Sequence, residues 1–471
     1  MKPCCDQFDH VSRKALADPH LQQALRSVDE RLRAMRDEAF QKLPDAEALR
    51  DEGRLIRDHA LAHLDVYLER LEENVTRLGG TVHWARDAAS ARKVVEEIAV
   101  SRGVRTIVKG KSMVSEEIGL NDGLEARGLD VVETDLGEYI IQLAQEPPSH
   151  LVGPAIHKTK RQIAELFRDR LGAPLMDDSE EMTRFARGVL RERFLSADMG
   201  ITGANFLVAS SGAVVLLENE GNIRLSTTLP RVHVAVAGIE KVVPTWKDLN
   251  VLLRLLPRSA TGQKLSSYVS ILLGPRRAGE PDGADEFHLV LLDNGRTRIL
   301  ADEAFRESLR CIRCGACLNT CPVYLKVGGH AYGWVYSGPI GSVLTPQLIQ
   351  DRRSASGLPF ATTLCGACAE VCPVRIDIPR ILTELRRRYA EDSDWGPASM
   401  KERGMVRLAG EVMTHRRLYD AAGHLARWAL PLVTSGPPLL RRAASTFPPP
   451  AREPFRRTFS KRRGTDEGDH D

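Results

Sequence analysis

Two short cysteine runs constrain this chain more than anything else in it. The first, C-I-R-C-G-A-C-L-N-T-C-P, contains Cys311, Cys314, Cys317, Cys321 and Pro322; the second, C-G-A-C-A-E-V-C-P, contains Cys365, Cys368, Cys372 and Pro373. The first has the C-x2-C-x2-C-x3-C-P spacing that wraps a cubane iron–sulfur cluster, and the second is that pattern without its first position. Zinc is the competing reading. A tetrahedral zinc site built from paired Cys-x2-Cys motifs has no use for a third cysteine at the same spacing, or for the proline. Proline lacks an N–H and redirects the chain after the last ligand. The small residues Gly315, Ala316, Gly366 and Ala367 leave room for backbone amides to approach sulfur, and such hydrogen bonds help set a cluster's potential.

In runs of this kind the cysteine before the proline ligates the other cluster. The crossed pattern assigns Cys311, Cys314, Cys317 and Cys372 to one cluster, and Cys321, Cys365 and Cys368 to a second; an eighth cysteine would stand where the chain has Thr362. Three arrangements are open for the second cluster. It is a [4Fe-4S] cubane with a non-cysteine fourth ligand such as water, substrate or a side chain, or a [3Fe-4S] cluster, or Cys4 or Cys5 folds in. The cubane is favoured because Cys365 and Cys368 keep the x2 spacing; Cys4 and Cys5 otherwise read as incidental. His330 is a candidate fourth ligand that reads more simply as a loop histidine. Tyr324, Tyr332, Trp334 and Tyr336 read as packing that keeps water from the clusters.

With 471 residues the chain is long enough for about three domains at roughly 150 residues each. At 42% hydrophobic and 27% charged residues it has the composition of a soluble globular protein. Its longest apolar stretches, such as residues 213–217 and 251–256, fall far short of the roughly 20 needed for a membrane span. The first ten residues carry charges without an apolar core, so they do not read as a secretory signal. A net charge of +3, spread along the chain, gives no reason to expect nucleic acid. Clustered cysteines without an export signal fit a reducing cytosol, where thiols bind metal.

Residues up to about Leu78 read as helical, with Leu61, Leu64, Leu68, Leu71, Val75 and Leu78 recurring every three or four positions before Gly79 and Gly80 stop the helix. A β/α alternation follows. Strands are expected at 81–85, 105–108 and 129–133, a helix capped by Asp87 or Ser90 running to about Ser101, and another capped by Ser112 or Ser115 running through Glu125. Such alternation implies parallel strands with right-handed crossovers. Further strands are expected at 204–209, 213–218, 232–237 and 287–292, a turn at 210–212, and a short helix at 247–256 closing on Pro257. The fold class is α/β: an N-terminal helical segment (1–60), a parallel-sheet α/β domain (61–300), a helical domain with the two clusters (301–390), and a helical C-terminal segment with a basic, Pro-containing tail (391–471). The two cysteine runs look like a duplication.

The α/β domain offers a second candidate site. Lys109-Gly110-Lys111-Ser112 lies at a strand-to-helix junction, where lysines and free N–H groups can hold a carboxylate or phosphate; a solvated loop with a capping serine is the plainer reading. Glu133, Asp135 and Glu138 follow the next strand, and Glu218 ends another, the last reading best as a surface carboxylate. Residues 200–205, G-I-T-G-A-N, are not a dinucleotide fingerprint and no Walker run occurs, so nothing supports bound NAD or ATP. The basic tail at 441–463 reads as solvated.

The motifs V-K-G-K-S-M-V-S-E-E-I-G-L-N (108–121), T-D-L-G-E-Y-I-I-Q-L (134–143), H-L-V-G-P-A-I-H-K (150–158), G-I-T-G-A-N-F (200–206) and G-H-A-Y-G-W-V-Y-S-G-P-I-G (329–341), with the cysteine runs, make the chain resemble the lactate-utilisation iron–sulfur protein B family. The resemblance implies an α/β domain similar to the sugar-phosphate isomerase and CoA-transferase group, followed by an α-helical ferredoxin-like domain. It implies two [4Fe-4S] clusters on the seven cysteines, and an electron-transfer role in oxidation of L-lactate to pyruvate. The expected partners are a second cysteine-rich protein, a smaller protein sharing the α/β domain, and a respiratory electron acceptor. The expected location is cytoplasmic, or peripheral at the inner membrane face. The alternative is a chain that itself oxidises a hydroxy acid, binding it at an open iron of the second cluster with Lys109 or Lys111 assisting.

Overall fold

The apolar segments of the middle of the chain resolve into two sheets. In the computed structural model, which describes residues 3–392, 395, 400–434, 453, 455 and 458–459, ten strands occur: β1 Thr81–Ala85, β2 Thr106–Lys109, β3 Asp130–Glu133, β4 Met199–Thr202, β5 Phe206–Val208, β6 Ala213–Glu218, β7 Val232–Gly238, β8 Val242–Val243, β9 Tyr268–Leu272 and β10 Glu286–Leu292. Six form a wholly parallel sheet in the order β1-β10-β7-β4-β2-β3; the other four form a mixed sheet, β8-β5-β6-β9.

The parallel sheet is buried on both faces, as its near-continuous apolar strands require. Alternate residues divide between the faces. Val232, Val234, Val236, Val290 and Leu292 pack with Ala91, Val95 and Ile98 of the helix Ala88–Ser101. Ala235, Ala237, Leu289 and Leu291 pack with Leu64, Leu68, Leu71 and Val75 of the helix Leu64–Arg77, and with Leu207, Val214 and Leu216 of the second sheet. Asp87 caps Ala88–Ser101 in a capping box with Ser90, and Ser112 caps the helix Met113–Glu117.

Several elements depart from expectation. The helix from Ser112 does not reach Glu125 in one piece: Gly119, at φ 61°, ends it and starts a second at Leu120–Glu125. The helix before Gly79 breaks at His63 into Ala46–Ala62 and Leu64–Arg77. The helix Trp246–Thr261 runs through Pro257 to a left-handed Gly262, because Leu249, Leu252, Leu255 and Leu256 are buried along it and a proline removes only one of its hydrogen bonds. Strand β4 is the M-G-I-T stretch, where a glycine inside the strand hides its pattern. Gly200 is required there, since a Cβ would stand 1.8 Å from the Ser226 carbonyl oxygen. Three helices, Leu136–Ala144, Lys160–Leu171 and Ser179–Ser196, lie between β3 and β4.

The chain forms two compact units, residues 1–388 and 389–471. The first contains both sheets, the N-terminal helices and the strand-free cysteine module. The second contains the helices Met400–Thr414 and Arg416–Thr434, which pack on each other. The Pro-containing stretch and most of the basic run of the tail lie outside the described residues. No helix among the described residues is long and apolar enough to cross a membrane.

Candidate functional site

The two cysteine runs build the same local backbone. Arg313 and Leu364 take positive φ, as do Gly315 and Gly366, and each glycine starts a one-turn helix, Ala316–Asn319 or Ala367–Glu370. This geometry turns backbone donors onto sulfur. Cys314 accepts from the Ala316 amide and Cys365 from the Ala367 amide. Cys317 accepts from Ile340, Cys321 from Tyr324 and Val323, and Cys372 from Ile376 and Val374. The correspondence reaches the missing ligand. The Arg313 amide donates to Cys311 Sγ at 3.4 Å, and the Leu364 amide donates to Thr362 Oγ1 at 3.1 Å.

The sulfurs fall into two groups. Cys311, Cys314, Cys317 and Cys372 line one small apolar cavity, with Leu151, Ile340, Ile376 and Ile378 around them. Cys321, Cys365 and Cys368 are mutual neighbours, and Cys317 also neighbours Cys368, so the groups lie side by side. Burial pushes the free thiols of Cys314 and Cys368 up to about 12 and that of Cys372 up to about 11. Thiols crowded together in an apolar pocket yield their protons only to a bound cation. A ring of N–H donors around such thiols suits the sulfur-rich, anionic surface of an iron–sulfur cluster, so the donor set fits. Cys365 differs: it is exposed, and its hydrogen bonds with Thr363 and Ala367 lower its pKa.

The surroundings of the groups also differ. Arg57, Arg313 and Lys241 lie near Cys311, Arg36 near Cys314 and Arg50 near Cys372. For the other group the neighbouring charge is Glu370, beside Cys365. Tyr324, Tyr332, Trp334 and Tyr336 are all buried; Tyr324 donates to Ser149 O at 2.9 Å, and Tyr336 to Glu117 Oε2 at 2.6 Å. His330 Nε2 pairs with Pro147 O at 2.9 Å, and its ring meets His157 edge-on. Cys5 is buried and Cys4 bonds through its amide to Gly333 O.

The strand-to-helix junction is not a solvated loop. Lys109 is fully buried, 2.7 Å from Glu133 and 3.2 Å from Glu116; burial would depress its ammonium, but these carboxylates raise it well above the ordinary lysine range. Glu138, also buried, is pushed up to about 8 by desolvation. Lys111 donates to Val152 O at 2.7 Å. Glu218 is not a surface carboxylate: it is buried and accepts the Ile223 and Arg224 amides at 2.7 and 2.8 Å, closing the turn after β6.

Beside this junction lies a cavity of about 270 Å³. Lys111, Ser112, Asp135, Glu218 and Glu220 line it from the α/β side, together with Lys241; Arg313 and Tyr336 line it from the cysteine module. Leu151 and Val152 line it as well, and Leu151 also borders the first cysteine group. Burial, with Arg313 beside it, brings Lys241 down to about 8. Sequence reasoning missed Lys241, which no local pattern marks, and Arg313, whose position inside a Cys-x2-Cys step was the available signal.

Comparison with known proteins fits this layout. Residues 68–292 match the LUD domain and residues 307–376 the 4Fe-4S dicluster domain. Over 98% of both chains the protein is 46% identical to a protein named "Lactate utilization protein B" from Shouchella clausii, and over 98% of both it is 44% identical to one of the same name from Bacillus licheniformis. The chain belongs to the lactate utilization protein B family. An Escherichia coli relative named "Uncharacterized electron transport protein YkgF" is 46% identical over 88% of this chain and 87% of its own. Within the family layout, the LUD match ends with β10 and the dicluster match covers both cysteine runs, so the cavity draws its lining from both matched regions. A crystal structure of a DUF162 family protein from Deinococcus radiodurans aligns over 49% of this chain and 98% of its own at 11% identity, with a TM-score of 0.27 that is too low to bear on the fold.

Proposed function

We propose that this chain is the iron–sulfur electron-transfer subunit in oxidation of L-lactate to pyruvate. Cys311, Cys314, Cys317 and Cys372 would hold one [4Fe-4S] cluster, and Cys321, Cys365 and Cys368 a second. The observation that carries the reading is the gathering of seven cysteines into two adjacent groups with amide donors aimed at their sulfurs. The names of the family's relatives, lactate utilization and electron transport, support the reaction.

Bound clusters would supply one-electron acceptor and donor capacity. The chain's residues do the rest. Tyr324, Tyr332 and Ile340 exclude water from the sulfurs, and Arg36, Arg50, Arg57, Lys241 and Arg313 surround the first group with positive charge, which favours added electrons there. The exposed Cys365 gives the second group its approach to a partner. The companions would be a second cysteine-rich protein and a small α/β protein, with a respiratory acceptor beyond them, at a cytoplasmic site or the inner membrane face. The alternative, with a hydroxy acid at an open iron of the second cluster, draws less support: Lys109 is sealed in an ion pair, and the cavity cations Lys241 and Arg313 lie by Cys311.

Anaerobic reconstitution of the full chain, with iron and sulfide counts and electron paramagnetic resonance, tests the proposal. Two reducible centres without lactate oxidation by the isolated chain are expected. Robust turnover by that chain alone, or the absence of a reducible centre, would overturn it.

A further inference from the structure

The cavity between β6, the helix Trp246–Thr261 and the cysteine module borders the first sulfur group, and two of its cations, Lys241 and Arg313, are only partly matched by neighbouring Glu240 and Cys311. Lys241 is buried, and among the described residues its ammonium makes neither a hydrogen bond nor a salt bridge. The adjacent acid, Glu240, is already committed to Arg296 and Arg313. Arg313 reaches Glu240 through Nη2 at 3.4 Å, lies over the Tyr336 ring, and leaves Nη1 buried without a partner. Burying an ammonium and part of a guanidinium in this way is costly unless an anion completes the site. The guanidinium fork matches a carboxylate. The rest of the lining includes the aliphatic Leu216, Leu256 and Ala260 and the acids Asp135, Glu218 and Glu220, of which Glu220 offers an acceptor for a hydroxyl. A volume of about 270 Å³ is at the small end for ligand sites, which run from roughly 300 Å³ upward. It suits an acid of a few carbons.

We infer that this cavity binds a small 2-hydroxy- or 2-oxo-carboxylate, its carboxylate against Lys241 and Arg313 and its carbon chain toward Leu256 and Ala260. The inference deepens the proposed function and rests on it for the choice of acid. It places ligand beside the first cysteine group, on a surface shared by the α/β domain and the cysteine module.

Calorimetric titration of the reconstituted full chain with L-lactate, pyruvate, oxalate and, as a contrast, inorganic phosphate tests it. Saturable binding of at least one of the three acids, in preference to phosphate, is expected. Lys241→Met and the cavity-filling Ala260→Phe, which lies on the helix away from the cysteines, should each weaken that binding about tenfold or more. Lys241 and Arg313 could instead serve only as counter-charges to the first cysteine group. In that case Lys241→Met shifts the reduction potential while acid binding matches the unaltered chain, and the inference fails. It fails equally if none of the acids binds or if phosphate is preferred. Resonance spectra of the same samples report separately whether the centres are present and reducible, so failure of the electron-transfer reading is distinguishable from failure of the site.

Discussion

Arg296 lies fully buried with both edges of its guanidinium occupied. Its two Nη atoms each stand 2.9 Å from an oxygen of Glu117, and Nε stands 2.6 Å from Glu240 Oε2. Tyr336 and Asn294 complete Glu117, and Arg313 completes Glu240. Burial alone would raise Glu240; Arg296 and Arg313 overcome it and hold the carboxyl down to about 2. Breaking one member leaves the others charged and dry, so Glu240→Gln should cost about 3–5 kcal/mol in denaturant unfolding, and a loss under 1 kcal/mol would contradict this account. A second residue predicts a pH response. His233 is buried within β7, paired with Thr202 Oγ1 at 2.9 Å, and desolvation brings its pKa down to about 3. The folded state keeps it neutral while the unfolded chain protonates near 6.5, so its contribution is intact above that pH and is lost as pH falls, by about 1.4 kcal/mol per unit. Urea midpoints measured from pH 7.5 to 5.5 should drop below 6.5, and His233→Gln should flatten that part of the profile. Glu138 acts in the opposite sense: with its pKa raised to about 8, it favours the fold at low pH and disfavours it as pH rises from 4.5 through 8.

At the scale of elements, the cysteine runs are two copies of one turn. Each sets a left-handed residue, a left-handed glycine and a one-turn helix, and each directs amides at its sulfurs. Thr362 takes the place of Cys311 in that design, down to the amide hydrogen bond its side chain accepts. Thr362→Cys should therefore supply an eighth thiolate without rebuilding the loop. Mössbauer and resonance spectra of the reconstituted variant should show a second centre with all-cysteine ligation and slower iron loss to a chelator; an unchanged second centre would mean that Thr362 lies off the missing corner. The runs were readable from sequence because ligand spacing within a turn is a local property. Gly200 was not: its need for a bare Cα comes from Ser226 of a helix that crosses β4, a neighbour more than twenty positions away.

At the scale of the whole molecule, the N-terminal helices prove to be part of the cysteine module's enclosure. Gln22 donates to Lys326 O at 2.7 Å and Arg36 to Val371 O at 3.0 Å, while Arg50 holds the Cys372 carbonyl at 2.9 Å and also reaches that of Glu370. Arg57, from the same helix as Arg50, ties the Leu309 and Arg310 carbonyls to that of Val242. Arg50→Met would strip the donors from the Cys372 carbonyl. It should speed chelator-driven iron release from the reconstituted chain while leaving the far sheet intact by circular dichroism; unchanged release would argue that Arg50 is ornamental there.

The helical texture of that N-terminal segment was legible in its apolar spacing, and the β/α alternation announced parallel strands; the place where the segment docks was not. By itself the sequence marked the iron–sulfur character of the cysteine runs and the class of the sheet, because both depend on spacing over a few residues. Only the tertiary structure decided what surrounds them. Lys111, Lys241, Arg313 and Tyr336 meet at one cavity because burial of both faces of the sheet draws distant segments together, and a buried cation is recognised by its missing partner rather than by its neighbours in the chain.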